Sequence, residues 1–334
     1  MKILITAPFH ESGIDKLEKH CEVAYENWRD TGKFEFSPGA LIDRLNTGKV
    51  DILVTEADEV DSEVIEKTQL KLIASCRGTP VNVDAEAAAS RKIPIIYAPH
   101  RNADAVADLT VTLMLMATRK ILQADRLLRS GFFDASELDE EGLAGFFNRF
   151  QGAEMSGLTV GIIGFGAIGS GVARRLHLGF GSRILYYDPY VPKDNRDIRL
   201  TKAKSVSLEE LFRTSDLVTI HTPPIAETEG LVGEKEFAMM KPTAYFFNLA
   251  RSYCIDENAL YEAVRNKQIA GAGLDVFDRE PVDSDNRFLP IDDVIVTPHI
   301  GGNTIDVVRH QSDMICTDIM NFIEGRPLRN QWTK

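Results

Sequence analysis

Three segments of this chain carry residue types whose spacing could do chemistry. Residues 159–176, TVGIIGFGAIGSGVARRL, place Gly164, Gly166 and Gly169 as G-x-G-x-x-G directly after an apolar strand-like run and at the start of a helical pattern. Each glycine serves a different need: Gly164 permits a tight turn, Gly166 lets backbone approach a pyrophosphate, and Gly169 lets helix pack closely on sheet. The helix start then offers unpaired N–H groups to the anion, so Phe165, Ala167 and Ile168 belong to the same cradle. Nineteen residues beyond Gly169, RILYYD ends at Asp188. A carboxylate there can bond the adenosine ribose hydroxyls and would repel a 2′-phosphate, so NAD is expected rather than NADP. S-adenosylmethionine, which other folds also hold between a glycine-rich turn and an acidic strand end, is the rival ligand at this point. The third segment, VTPHIGGN at 296–303, holds His299 between a proline and two glycines. Alone, such an imidazole is best read as a strand cap or the partner of a buried carbonyl.

The elements that must position these residues alternate. KILIT, DILVT, KLIAS and IPIIY read as strands, with helical stretches such as VDAEAAASRK between them. A second series, TVGIIG, RILYYD, DLVTIH, AYFFNL, GAGLDVF and VIVTP, repeats the pattern, which predicts parallel sheets covered on both faces. Between the two series, residues 102–130 lack Pro and Gly and read as one helix roughly 40 Å long at 1.5 Å per residue. Residues 131–157 read as a mostly irregular connection. Ser207 with Glu210 matches a capping box, and residues 303–325 read as a closing helix.

Composition bounds the function classes. The 334 residues suffice for two domains, and 38 Lys+Arg against 50 Asp+Glu give a net charge of −12, which argues against binding to nucleic acid or anionic lipid. Cys21, Cys76, Cys254 and Cys316 lie far apart with no C-x-x-C pair, so neither a metal site nor a disulfide framework is expected, and reduced thiols in a cytoplasm fit best. The start MKILITAPFH has too short an apolar run for a signal segment, and LTVTLMLMA falls short of a membrane span.

Three stretches that end predicted strands of the second series, FFNLARSYCIDENAL, GLDVFDREP and VTPHIGG, occur in an order that resembles the D-isomer-specific 2-hydroxyacid dehydrogenases. The resemblance runs from about LKLIASCRG to TPHIGG. It implies an NAD-dependent enzyme interconverting a D-2-hydroxy acid and its 2-oxo acid, with Arg251 binding the substrate carboxylate, Glu280 as the accompanying carboxylate and His299 as acid and base. The residue chemistry fits each role: a guanidinium forks onto a carboxylate, an imidazole can give and take a proton, and a glutamate steadies the imidazolium. The same resemblance sets Asp275 towards the nicotinamide amide, with a structural strand-end role as the alternative. Thr222, Pro223 and Leu249 fall beside the cofactor, and Val106 and Thr110 approach the nicotinamide. It further implies a Rossmann NAD-binding domain, 102–302, inserted in a discontinuous flavodoxin-like substrate domain, 1–101 and 303–334, both doubly wound α/β, and a homodimer paired through the cofactor domains.

The sequence also departs from the family. Its substrate loop, usually S-x-G-x-G, reads SCRGTPVNVD, so that Arg77 and Thr79 stand where glycines would, with Gly78 between them; Ser252 follows Arg251 where a glycine is usual. Phosphoglycerate-, glycerate- and glyoxylate-type substrates all stay open. No appended regulatory domain of the kind some phosphoglycerate dehydrogenases carry is expected after Lys334. A second class of function, an NAD-sensing corepressor that binds peptides, is compatible with the triad, whereas the absence of long disordered tails speaks for the enzyme.

Overall fold

A computed structural model describes residues 1–32, 35–131 and 140–333, which divide into two compact units, 1–102 with 303–334, and 103–302. In the first unit, β1 (Lys2–Ile5), β2 (Glu22–Tyr25), β3 (Ile52–Thr55), β4 (Leu72–Ser75) and β5 (Ile95–Tyr97) form one sheet in the order β2-β1-β3-β4-β5, parallel throughout. Alternate side chains serve opposite faces. Ile3, Ile5, Val54, Leu72 and Ala74 pack under Leu17, Ile315 and Ile319 from helices Glu11–Glu18 and Ile305–Ile323. Leu4, Leu53 and Ile73 meet Leu41, Leu45, Val64 and Ile65 on the other side. Each fully buried Leu or Ile contributes about 1.5–3 kcal/mol, enough to make a one-residue slip of register prohibitive. Strand β2 does not read as a strand in sequence, because its EVAY lies on the edge, half-exposed. The opposite edge is covered by the C-terminal segment, where Trp332 N–H donates to Ile95 O at 2.8 Å.

In the second unit, β6 (Thr159–Ile163), β7 (Arg183–Tyr187), β8 (Lys204–Ser205), β9 (Leu217–Ile220), β10 (Tyr245–Asn248), β11 (Gly271–Leu274) and β12 (Val294–Val296) take the order β12-β11-β10-β9-β6-β7-β8, again all parallel. Both sheets reverse strand order at one point, between β1 and β3 and between β6 and β9, which makes each unit doubly wound. Because every strand runs the same way, the residues that follow them gather on one edge: Gly164 after β6, Asp188 after β7, His221–Pro223 after β9, Leu249–Arg251 after β10, Asp275 after β11 and Thr297–Gly301 after β12.

Three expectations need correction. The long helix is broken into Ala103–Thr118 and Ile121–Arg129, because Thr118 O accepts from Ala153 N at 3.2 Å and Lys120 turns left-handed at φ 52°. The connection after it is not mostly irregular, for Glu140–Arg149 is helical and edge-to-face contacts of Phe146 with Phe147 and Phe150 line it; residues 132–139 lie outside the described residues. At Ser207 the cap bond to Glu210 N is present, whereas the Glu210 carboxylate turns to Lys204.

Candidate functional site

The glycine loop leaves β6 with Gly164 at φ 87°, a left-handed turn that a side chain would strain, and a Cβ there would meet His221 O at 2.7 Å. A Cβ on Gly169 would stand 2.1 Å from Gly164 O, so helix Ala167–Arg174 could not seat against the turn with any other residue. Gly166 differs. Its φ is −71° and nothing lies within 4 Å of a Cβ built on it, so neither backbone strain nor packing accounts for the glycine there. What a side chain would fill is the open space before a helix start that has no side-chain cap. The free N–H groups of that first turn suit a pyrophosphate, and the cradle therefore fits NAD. Phe165 is buried against Tyr186, ring centroids 4.6 Å apart, while Ala167 and Ile168 are half-buried at the helix start.

Asp188 braces the same loop. Its Oδ2 accepts from Phe165 N at 2.7 Å and its Oδ1 from Tyr190 N and Val191 N at 2.8 and 3.1 Å. Oδ2 has a further lone pair, so a ribose hydroxyl can be accepted as well. Thr222 lies across the loop, its Cγ2 3.1 Å from the Cβ position of Gly164, and Pro223 O accepts from Thr228 Oγ1 at 2.5 Å. Beneath them His221 is pushed down to about 3 by burial, and its Nδ1 has no partner among the described residues.

The residues expected to react lie further along the edge. His299 has φ 54°, in the left-handed region, and its Nδ1 stands 2.6 Å from Glu280 Oε2. Its side chain is 45% exposed, and among the described residues Nε2 has no hydrogen-bond partner, so that nitrogen is available to a substrate. Glu280 is itself held: Oε1 accepts from Phe277 N at 2.9 Å. The left-handed backbone costs about 1–2 kcal/mol. It is outweighed by Asp275, 1% exposed, whose Oδ1 accepts from Thr297 Oγ1 and Ile300 N at 2.6 and 2.8 Å and whose Oδ2 accepts from Gly301 N at 2.8 Å. Bonds to a charged acceptor are worth about 1.5–3 kcal/mol each. Three of the four acceptor sites of the Asp275 carboxylate thus hold the turn that presents His299.

Arg251 is exposed after Leu249, which is 4% exposed. Its Nη1 donates to Ala250 O at 2.6 Å, and among the described residues no carboxylate lies within ion-pair distance of it. Asn248, fully buried, shapes this loop by accepting from Ala250 N and donating to Arg251 O, both at 3.0 Å. Val106 packs within 3.4 Å of the Cβ position of Gly301, and buried Thr110 turns its hydroxyl to Val106 O of its own helix. Asn248 and Thr297 were not singled out from sequence; a polar residue closing an apolar strand was their only signal. In the first unit, Arg77 donates from Nε to Glu56 O at 2.5 Å, beside an Arg101–Glu56 pair at 2.7 Å; Gly78 and Thr79 are exposed after it. No group of three or more potential metal ligands exists among the described residues, and all four cysteines are free. No helix among them is long and apolar enough to cross a membrane.

Residues 111–301 match the family model described as D-isomer specific 2-hydroxyacid dehydrogenase, NAD binding domain. The chain is similar to a glyoxylate reductase of Thermococcus litoralis, 36% identical over 97% of this chain and 94% of the other. It is 35% identical to a D-3-phosphoglycerate dehydrogenase of Archaeoglobus fulgidus, covering 99% of this chain but 59% of that longer one. Among solved structures, D-mandelate dehydrogenase of Rhodotorula graminis superposes with a TM-score of 0.83 at 26% identity, over 100% and 97% of the two chains.

The contrast between the glycines gives a test. Gly166→Val should leave thermal unfolding within a degree or two of wild type yet weaken NADH binding, read by fluorescence titration, about tenfold or more. Gly169→Val should lower the unfolding temperature itself. A Gly166→Val protein that binds NADH normally would mean the space is not a cofactor cradle.

Proposed function

This chain belongs to the D-isomer-specific 2-hydroxyacid dehydrogenase family and is an NAD-dependent oxidoreductase, and we propose that His299, Glu280 and Arg251 carry its reaction on a small 2-oxo acid or the matching D-2-hydroxy acid. The observation that carries the assignment is the 2.6 Å pairing of His299 Nδ1 with Glu280 at the same sheet edge as the glycine cradle. Gly164–Gly169, Asp188 and the Thr222–Pro223 loop would hold NAD, which would provide the hydride in one direction and take it up in the other. In the reducing direction, His299 Nε2 delivers a proton to the carbonyl oxygen as hydride reaches the carbonyl carbon; in the oxidising direction it takes that proton back. Glu280 fixes the tautomer and ring orientation and offsets the imidazolium charge. Arg251 forks onto the substrate carboxylate, which places the adjacent carbonyl for attack.

The names of the relatives support two substrate types, one without and one with a distal anionic group. Arg77, held by the Glu56 carbonyl, supports the second: with Gly78 and Thr79 it forms the loop proposed to meet the substrate, and its guanidinium suits a phosphate or distal carboxylate. A homodimer belongs to the same reading. Helix Ile121–Arg129 buries none of its residues, and Leu128 and Phe147 are 61% and 67% exposed, apolar side chains that a second copy would cover.

Four measurements check this reading. His299→Ala should lower kcat by about 10²–10⁴-fold while NADH still binds; near wild-type turnover would remove the histidine from the mechanism. NADH should be preferred over NADPH, and Asp188→Asn should narrow the gap; equal efficiency of the wild type with both would count against Asp188 as the discriminator. Arg77→Ala should cost about 1.5–3 kcal/mol, roughly 10- to 150-fold in kcat/KM, on phosphohydroxypyruvate and far less on glyoxylate, whereas equal losses would assign Arg77 to loop shape alone. Sedimentation should find two copies, reduced to one by Leu128→Glu with Phe147→Glu; a wild-type monomer would end the dimer proposal.

A further inference from the structure

Glu257 opens helix Glu257–Arg265 and is only 8% exposed, which is unusual for a glutamate at a helix start, where the dipole favours a solvated acid. The helix needs no help from it, because Asp256 already caps Asn258 N and Ala259 N at 2.9 and 3.0 Å. Its Oε2 instead accepts from Asp278 N at 2.7 Å, in the loop that carries Glu280. The two successive amides of that loop are thereby divided between two carboxylates: Phe277 N donates to Glu280 and Asp278 N to Glu257. Arg287 stands 3.6 Å from Glu257 Oε1, held over the Tyr261 and Phe288 rings at 5.0 and 5.5 Å and bonded to Asn258 Oδ1. Burial, and then the facing Asp278 carboxyl, push the Glu257 carboxyl up, against the pull of the Asp278 amide and Arg287. Keeping an acid in such a place costs stability, and what it secures there is the Asp278 amide, which a residue without an acceptor oxygen at that point would leave unpaired.

We propose that Glu257 is a positioning residue for the reaction: by holding the Asp278 amide it fixes the 277–280 loop from the helix side, so that Glu280 reaches His299 Nδ1 at bonding distance. The proposal rests on the assignment of Glu280 and His299 given above. The essential feature is an acceptor oxygen at full glutamate length, not the charge. Arg287 steadies the carboxylate, and among the described residues it makes no hydrogen bond or ion pair to the 277–280 loop.

The test compares Glu257→Ala, Glu257→Asp and Glu257→Gln with Glu280→Gln, using NADH and the 2-oxo acid that the wild type turns over fastest. Ala, which lacks the acceptor, and Asp, which withdraws it by one methylene, should each lower kcat about tenfold or more while KM for NADH stays within about twofold. Gln keeps the acceptor at full length and should restore kcat to within about threefold of wild type. If Ala does not fold, the Asp and Gln pair carries the same comparison. Ala or Asp variants that melt earlier yet keep wild-type kcat would overturn the proposal, leaving Glu257 a stability residue. A Gln variant as slow as Ala would also overturn it. Should Glu280→Gln itself retain wild-type kcat, the fault would lie in the catalytic assignment, and this inference would fall with it.

Discussion

A buried carboxylate at the end of one strand holds the end of the next. Asp275, closing β11, gives both oxygens to Thr297, Ile300 and Gly301 of the turn that follows β12, and so keeps His299 in a backbone conformation it would not adopt freely. Remove those bonds and the left-handed residue relaxes, Nδ1 leaves Glu280, and the free Nε2 loses its direction. Because β11 and β12 are neighbouring parallel strands, a side chain leaving one is within reach of backbone leaving the other. The turn that carries the imidazole is thereby tied to the sheet by side-chain bonds from a neighbouring strand end.

The same logic recurs around the edge. Asp188 after β7 braces the glycine turn after β6, and Asn248 at the end of β10 folds back on the loop bearing Arg251. In each case a polar side chain at a strand terminus satisfies amides that a buried loop would otherwise leave unpaired. Parallel strand direction brings these termini together, and the reversal of strand order between β6 and β9 opens the crevice in front of the uncapped helix.

How much of this was legible in sequence follows from how local each cause is. The glycine cradle was readable because its constraints are steric and act within a few residues: Gly164 and Gly169 conflict with His221 O and Gly164 O directly. The inner strands were readable because burial on both faces forces continuous apolar runs such as ILVT and LIAS. The short edge strands β2 and β8 were not, since four exposed or half-exposed residues, EVAY, and two exposed ones, KS, make no continuous apolar run. Nor was the break at Lys120, for it depends on an amide 35 residues away, Ala153 N, capturing Thr118 O. Arg251, Glu280 and His299 stood out through resemblance and chemistry, but nothing in the sequence paired Asp275 with residues 22–26 positions later; that pairing requires the strand order.

The account stands or falls on His299 moving the proton. The most direct measurement is kcat/KM against pH in both directions, 2-oxo acid with NADH and D-2-hydroxy acid with NAD. If one imidazole gives the proton in reduction and takes it in oxidation, reduction should fall with rising pH and oxidation should rise. Two profiles sloping the same way, or an opposed pair that survives unchanged in His299→Ala, would contradict it.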